Sequence, residues 1–409
     1  MVSIGLKVEI VLAAIFVAFL IGYLLKNRRE IALQKILFPF VYIFMLRRKW
    51  GIRTMKAVSE KYREIVKLFG YIGIGVGFCA MGFVVYLFFQ LGALIFTQPA
   101  KAASPLALPF ITIPGFGFLG FTHWILALAF LIIVHEFAHG IVSKAHGVPI
   151  RSSGLAILSL IAPIFPAAFV EPDEKKLRKE SDVVQYSVFA AGSFMNLIWF
   201  LIFALIINLL ITPGFNAVTE PSGFSFDLVN STTPAALAGA GNLSRVNYVD
   251  GEPTAAADDM LTDVYYRLDP GDPIELGYMN ATSGNLTTYT VITGSAPEDP
   301  DRAYLGIINI QNRRDFKDGW RPYGPFLIWI KDLFKWLLLF NFMVGIINMV
   351  PLFITDGGQM LRLALIRILG NEQKANKATL VVSILFGGIL LISLSLWLGS
   401  AFSALVGLF

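Results

Sequence analysis

The sequence predicts a polytopic α-helical membrane protein with about six transmembrane helices, re-entrant segments and a small, mainly β extramembrane domain. Three observations predict it: long unbroken apolar runs, positive charge gathered beside those runs, and one polar stretch late in the chain. Of 409 residues, 56% are hydrophobic, and a mean hydropathy of +0.67 is too high for an ordinary soluble protein of this size. Several runs reach the roughly 20 residues that a helix needs to cross a hydrocarbon core about 30 Å thick. They are rich in Leu, Ile and Phe and lack the short alternation of barrel strands, so helical spans are expected.

The first span covers about residues 6–26. Its apolar stretch from Ile10 to Leu25 ends in Lys26, Arg28 and Arg29, as a retained span does rather than a cleaved signal. The following segment carries Arg47, Arg48, Lys49, Arg53 and Lys56 and is expected in the cytoplasm. Further spans fall at about 70–97, 121–145, 183–212, 324–350 and 378–406. Threading alternately puts residues 98–120 and 213–323 outside, and 171–182 and 361–377 inside. Lys175, Lys176, Arg178 and Lys179 then fall in one inner loop, and Arg362, Arg367, Lys374 and Lys377 in the other. The formal charge of +5 and pI near 9.1 therefore read as topology and not as a nucleic-acid surface. Cys79, the single cysteine, excludes an intrachain disulfide and a thiolate cluster, so any metal must use His, Asp or Glu.

Residues 213–312 turn polar, acidic and rich in Asn, Thr, Asp and Gly, which marks a soluble domain between membrane parts 1–212 and 313–409. Arg245 to Glu252 and Asn285 to Thr293 read as short strands broken by Gly and Asp turns. Asn230-Ser-Thr, Asn242-Leu-Ser, Asn280-Ala-Thr and Asn285-Leu-Thr fit the glycosylation acceptor pattern, which a Thr- and Asn-rich stretch also produces by chance. Two apolar pieces are too broken to span simply: Leu106 to Leu119, with Pro109 and Pro114, and Gly154 to Val170, with Pro163 and Pro166. Irregular backbone at membrane depth needs protein or a water-filled cavity to satisfy it. Re-entrant segments lining a cavity and interfacial loops are both compatible with that.

The third span holds Val134-His135-Glu136-Phe137-Ala138-His139-Gly140, an H-E-x-x-H arrangement. Four helical residues advance about 6 Å and slightly more than one turn, so both imidazoles leave one face and can grip one ion. Glu136 is then close enough to touch water on that ion without occupying a coordination position. A polar patch in helix packing is the competing account. It fares badly, because an ionisable residue at the centre of a span costs at least about 2.5–3.5 kcal/mol on insertion scales.

Catalytic zinc usually takes three protein ligands. In the later spans the only acid flanked by apolar sequence and glycine is Asp356, in Asn348-Met-Val-Pro351-Leu-Phe-Ile-Thr-Asp356-Gly357-Gly358. There Pro351 breaks the helix and the glycines permit close approach. An aspartate that merely caps a helix from Gly357 to Leu369 explains the residue equally well.

With these two segments in that order, the chain resembles the site-2 proteases, intramembrane zinc metalloproteases that pair H-E-x-x-H with N-x-x-P-x-x-x-x-D-G on a later helix. The resemblance runs from about Phe110 to about Leu369. It implies one zinc ion per chain held by His135, His139 and Asp356, with Glu136 as catalytic base and Asn348 positioning the substrate backbone. It also implies that the polar insert is a PDZ-like domain, and Asn230-Ser-Thr-Thr-Pro and Val249-Asp-Gly-Glu are similar to segments of such domains. The family often has Gly-Pro-x-x-Asn on the span before the insert. Here Gly192-Ser193-Phe194-Met195-Asn196 lacks the proline, which leaves Asn196 a secondary candidate beside the alternative of a buried Asn joining two helices.

His146, near the membrane boundary, and His123 receive no ligand role. The implied reaction is hydrolysis of peptide bonds within or near transmembrane segments, in the plasma membrane, with the PDZ-like domain on the extracytoplasmic side. The implied partners are the lipid bilayer and a transmembrane protein substrate, which another protease can trim first. A membrane metal carrier would also place His and Asp in mid-membrane, and a catalytically silent scaffold would also present the insert. Neither needs Glu136 beside the ion, and the spans show no internal repeat of the kind found in inverted-repeat carriers.

Overall fold

Apolar length sets the helical frame. The computed structural model describes residues 4–37, 41–103, 108–113, 116–160, 162–243, 245–279 and 285–406. Among the described residues five helices are long and apolar enough to cross a membrane. They are α1 (Ile4–Lys26), α2 (Arg63–Thr97), α3 (Phe121–Ala145), α4 (Asp182–Ile206) and α7 (Glu372–Val406). The segment expected as a sixth span is helical, as α5 (Gly324–Ile347), but Lys331, Asp332 and Lys335 sit in its first half and keep it out of that class. A shorter helix, α6 (Asp356–Leu369), follows after an unwound turn.

Chain contacts divide the protein into two compact units, one of Met1–Ile207 with Lys331–Phe409 and one of Asn208–Ile330. Within the first, α3 packs against α4 along most of its length, and Leu131, Phe203, Trp336 and Phe340 bury one shared apolar cluster. The start of α3 has no side-chain cap of its own. Glu9 of α1 fills that role from another helix: its carboxylate accepts from the Thr122 backbone N–H at 2.8 Å and from the Thr122 hydroxyl at 2.6 Å.

Strands stand where the sequence suggested a basic loop. β1 (Ile31–Leu37) and β2 (Val41–Arg48) lie in the Lys- and Arg-rich segment after α1, and β3 (Ile150–Leu160) and β4 (Ala162–Pro172) contain the broken stretch after α3. They form one antiparallel sheet in the order β1-β2-β3-β4. The 154–170 segment is thus a β-hairpin. The other broken stretch also contains a small hairpin, Ile111–Ile113 against Gly117–Leu119; residues 106, 107, 114 and 115 lie outside the described residues. Arg47 on β2 reaches across β3 and forks onto Glu171 of β4, with Nη2 2.8 Å from Oε1 and Nε 3.1 Å from Oε2. Ser152 donates to the same carboxylate. The Arg47 guanidinium, aided by Ser152, holds the Glu171 carboxyl below its ordinary range against a smaller opposing effect of burial.

The second unit extends further on both sides than the polar stretch 213–312, and its last strand runs past residue 312. β5 (Thr219–Leu228) and β8 (Ile307–Phe316) run antiparallel with Thr219 opposite Phe316, so the chain enters and leaves on neighbouring strands. Between them, β6 (Pro273–Met279) and β7 (Leu286–Ile292) form a hairpin, extended by Tyr248–Val249 and Glu252–Pro253. Phe224, Met260, Ile274, Leu276 and Val291 fill its core. Two of the acceptor patterns cannot be followed, since Ser244 and residues 280–282 lie outside the described residues.

Glu171 supplies a pH test of the first unit. A carboxyl held low in the folded state stabilises fully above its unfolded value of about 4.3 and loses that contribution as pH falls through the folded value. Glu171→Gln is expected to lower the thermal midpoint in detergent at pH 7 by an amount on the order of 1 kcal/mol or less, since the pair is partly solvated. The gap between the two proteins should close on acidification below about pH 4; a gap unchanged from pH 7 to pH 3 would refute the ion-pair account.

Candidate metal centre

Helical spacing brings the two histidines together. His135 and His139 face the same side of α3, and their Nε2 atoms lie 3.1 Å apart. The Asp356 Oδ2 atom stands 3.3 Å from each. Among the described residues these three form the group of His, Cys, Asp and Glu that could hold a metal ion. A tetrahedral ion with bonds of about 2.0–2.1 Å spaces its ligand atoms by about 3.3 Å, so the donor set has the separations that zinc requires.

The environment of each donor fits the same use. His139 Nδ1 lies 2.7 Å from the Val188 carbonyl, which can only accept, so Nδ1 carries the proton and Nε2 offers its lone pair. The Asn196 amide lies 3.2 Å from His135 Nδ1, fully buried, with its Oδ1 otherwise unpaired. Turned so that its oxygen faces the ring, the amide accepts from Nδ1–H, satisfies that oxygen and leaves Nε2 of His135 free as well. Ser193 Oγ stands 3.4 Å from Asp356 Oδ2.

Val188, Gly192 and Asn196 recur every fourth residue on α4 and make the stripe that faces the histidines. Gly192 provides clearance. A Cβ there would come within 2.3 Å of His139 Nε2 and 2.6 Å of His135 Nε2, occupying the space between the donors. Glycine at 192 is thus a requirement of the site, not of helix geometry.

Asp356 reaches the histidines because the helix breaks before it. After α5 ends at Ile347, residues 348–355 turn back, with Pro351 removing one donor. Ser383 of α7 satisfies the turn by accepting from Phe353 N–H at 2.9 Å. Thr355 caps α6, accepting from Gly358 N–H at 3.2 Å. The capping account of Asp356 is therefore corrected: the cap is its neighbour, and the aspartate carboxylate points to the histidines. Gly357 and Gly358 allow the packing, since a Cβ would fall 2.3 Å from Met349 O and 1.7 Å from Leu352 O respectively. Asn348 places its Nδ2 3.4 Å from His135 Nε2. Glu136 sits beside the cluster and accepts a hydrogen bond from the Val170 backbone N–H at 2.8 Å.

These residues line a cavity of about 740 Å³ bounded also by Phe169, Gln185 and Gln359. Its wall carries Arg178, Arg362, Arg367, Glu174 and Glu372, several of them paired; Arg362 lies 2.5 Å from Glu372. Such a polar wall gives water a path to a site set in a long apolar helix. His146 ends α3 with Nε2 3.1 Å from Ser187 Oγ, and His123 is buried near the other end. Neither joins the cluster. Sequence reasoning missed Gly192, Ser193, Val188 and Val170; the Gly-x-x-x-Asn spacing was the one available signal for the first.

A model of the peptidase family M50 matches residues 123–392, well over half of the chain and both motif segments. The chain belongs to that family. It is a family of membrane-embedded metallopeptidases that includes the site-2 proteases, and its members depend on zinc. The chain is also similar to an uncharacterized protein of Methanocaldococcus jannaschii, 34% identical over 166 residues, covering 38% of this chain and 40% of that protein's length.

Gly192→Ala is expected to abolish high-affinity zinc binding, measured as metal content of the purified protein, while helical content is retained. Asn196→Ala should weaken zinc affinity by about 10- to 100-fold, as loss of an outer partner does. Full zinc occupancy in the Gly192 variant would show that the ion sits elsewhere.

Proposed function

We propose that the chain is an intramembrane zinc metalloprotease that hydrolyses peptide bonds within or near the transmembrane segments of other membrane proteins, in regulated intramembrane proteolysis. The observation that carries this reading is the spacing of the His135, His139 and Asp356 donor atoms beside the Glu136 carboxylate, in a helix long enough to span a membrane. Family membership supports the metallopeptidase class.

In this reading His135, His139 and Asp356 hold one zinc ion, which when bound supplies Lewis acidity toward water and the scissile carbonyl. Glu136 is the base: its carboxylate takes a proton from the attacking water and returns it to the leaving nitrogen. Asn348 offers an N–H beside the ligands to a substrate carbonyl, and Asn196 holds His135 in its tautomer.

A helical substrate must be unwound before attack, because its amides are bonded internally. β4 offers a place for it. Its inner side pairs with β3, and among the described residues no strand lies on its other side. An extended peptide can add there as a further strand, next to Glu136. The insert, read as a PDZ-like domain, selects substrates, among them transmembrane proteins already trimmed by another protease. The protein is placed in the plasma membrane, and the distribution of Lys and Arg supports an orientation with the insert on the extracytoplasmic side.

Glu136→Gln should retain one zinc per chain and lose cleavage of a transmembrane peptide by at least about 100-fold. Asp356→Ala should lose both. A Glu136 variant that still cleaves would sink the reading, and one that moves zinc across vesicles or only binds partners would point to a carrier or a scaffold. Removing residues 215–312 should change which substrates are cut more than it changes zinc content. Loss of zinc on that deletion would make the insert structural and end the filter idea.

A further inference from the structure

Antiparallel strands turn alternate residues toward and away from a given neighbour. From Phe165 to Glu171, β4 keeps a regular register against β3, running from Leu158 opposite Phe165 to Ser152 opposite Glu171. The Val170 N–H does not join this ladder; it donates to Glu136 Oε2. Val170 therefore directs its backbone groups to the open side, and Ala168 and Pro166 do the same. Pro166 has no N–H to offer. Between residues 165 and 171 the open edge thus has two donors, Ala168 and Val170, and the second is held by Glu136.

We infer that the Val170 backbone N–H is a positioning group for Glu136, and that a peptide added to β4 takes its hydrogen bonds from Ala168 and not from the Val170 N–H. This rests on the proteolytic reading above. That N–H donates to Glu136 Oε2 at 2.8 Å, and a carboxylate on a flexible side chain needs such a bond to face one direction. The division of labour has a consequence for substrates. The last N–H that the edge offers to the peptide is that of Ala168, two residues before the position at which the base is held. Val170 N–H contributes to the chemical step without touching the substrate, whereas Ala168 N–H contributes to substrate binding.

Replacing a single backbone N–H by an ester oxygen, through incorporation of the α-hydroxy acid, removes each donor and keeps the side chain. With the full-length protein in detergent and a transmembrane peptide substrate, the ester at 170 is expected to lower kcat by about 10- to 100-fold with KM unchanged, the loss of one hydrogen bond to a charged group. The ester at 168 is expected to raise KM several-fold with kcat unchanged. Zinc content, measured alongside, should stay at one per chain in both. Val170→Pro gives an independent check, since proline already stands on the same side at 166 and 172; it should reproduce the kcat loss. A rise in KM with unchanged kcat at 170 would assign that N–H to the substrate and overturn the inference, as would no change at all. The proteolytic reading has its own control: if Glu136→Gln is inactive and the parent is active, that reading stands whichever way the Val170 result falls.

Discussion

Two imidazole lone pairs and an aspartate carboxylate converge within 3.3 Å of one another, and the rest of the membrane unit can be understood as the apparatus that makes this convergence possible. Nothing about the arrangement is favourable by itself. Three acceptors facing one point, largely out of water, repel one another and forgo their solvation. A divalent cation reverses the sign of each of those interactions at once. The outer hydrogen bonds point the same way: the Val188 carbonyl on His139 Nδ1 fixes that ring so that its free lone pair faces inward, and the buried Asn196 amide can do the same for His135.

Bringing a carboxylate from a distant segment to that point requires breaking a helix beside the membrane spans, where unpaired backbone is costly. The turn at residues 348–355 meets the requirement group by group. Pro351 has no N–H to satisfy. Ser383 takes the Phe353 N–H, Asn348 O takes the Gly357 N–H, and Thr355 closes the first turn of α6. The glycine pair then lets α6 lie directly on the turn that precedes it. Each of these groups is explained by backbone accounting, and the side chains of Asn348 and Asp356 are left to face the histidines.

How much of this was legible in the sequence follows from the distance over which each signal acts. The histidine pair and its glutamate were readable because their geometry is local to one helix turn. Asp356 was readable as an isolated acid between apolar residues and glycines, but its rival role as a helix cap could not be dismissed, since Thr355 and Asp356 are both good caps and only the backbone decides between them. Gly192 was visible only as the first residue of a Gly-x-x-x-Asn segment; its role lies in the two rings of another helix. The strands β1 and β2 were unreadable for a similar reason. Ile31–Leu37 and Val41–Arg48 are short apolar runs beside basic residues; they pair with each other, and the strand that joins β2 to the rest of the sheet lies more than a hundred residues later. Sheet pairing at that separation leaves no periodicity in the sequence. α5 was expected as a span from its hydropathy; it is helical as expected, but Lys331, Asp332 and Lys335 in its first half set it apart from the five more apolar helices.

A sheet beside apolar helices raises a question that the donor accounting on β4 answers. An open strand edge exposes N–H and C=O groups, which soluble proteins protect with charge, proline or cover. On β4 the means are proline and cover: Pro166 and Pro172 remove donors from the outer side, and the Glu136 carboxylate caps the donor of Val170. The ion pair between Arg47 and Glu171 then ties the end of this strand back across β3 to β2, so the edge cannot drift from the helix that it serves. Between the proline and the carboxylate, one residue of the edge keeps both its donor and its acceptor on the outer side. That residue, Ala168, lies two positions from the Val170 N–H that bonds Glu136. An edge with so few free donors is protected against pairing with other chains along most of its length.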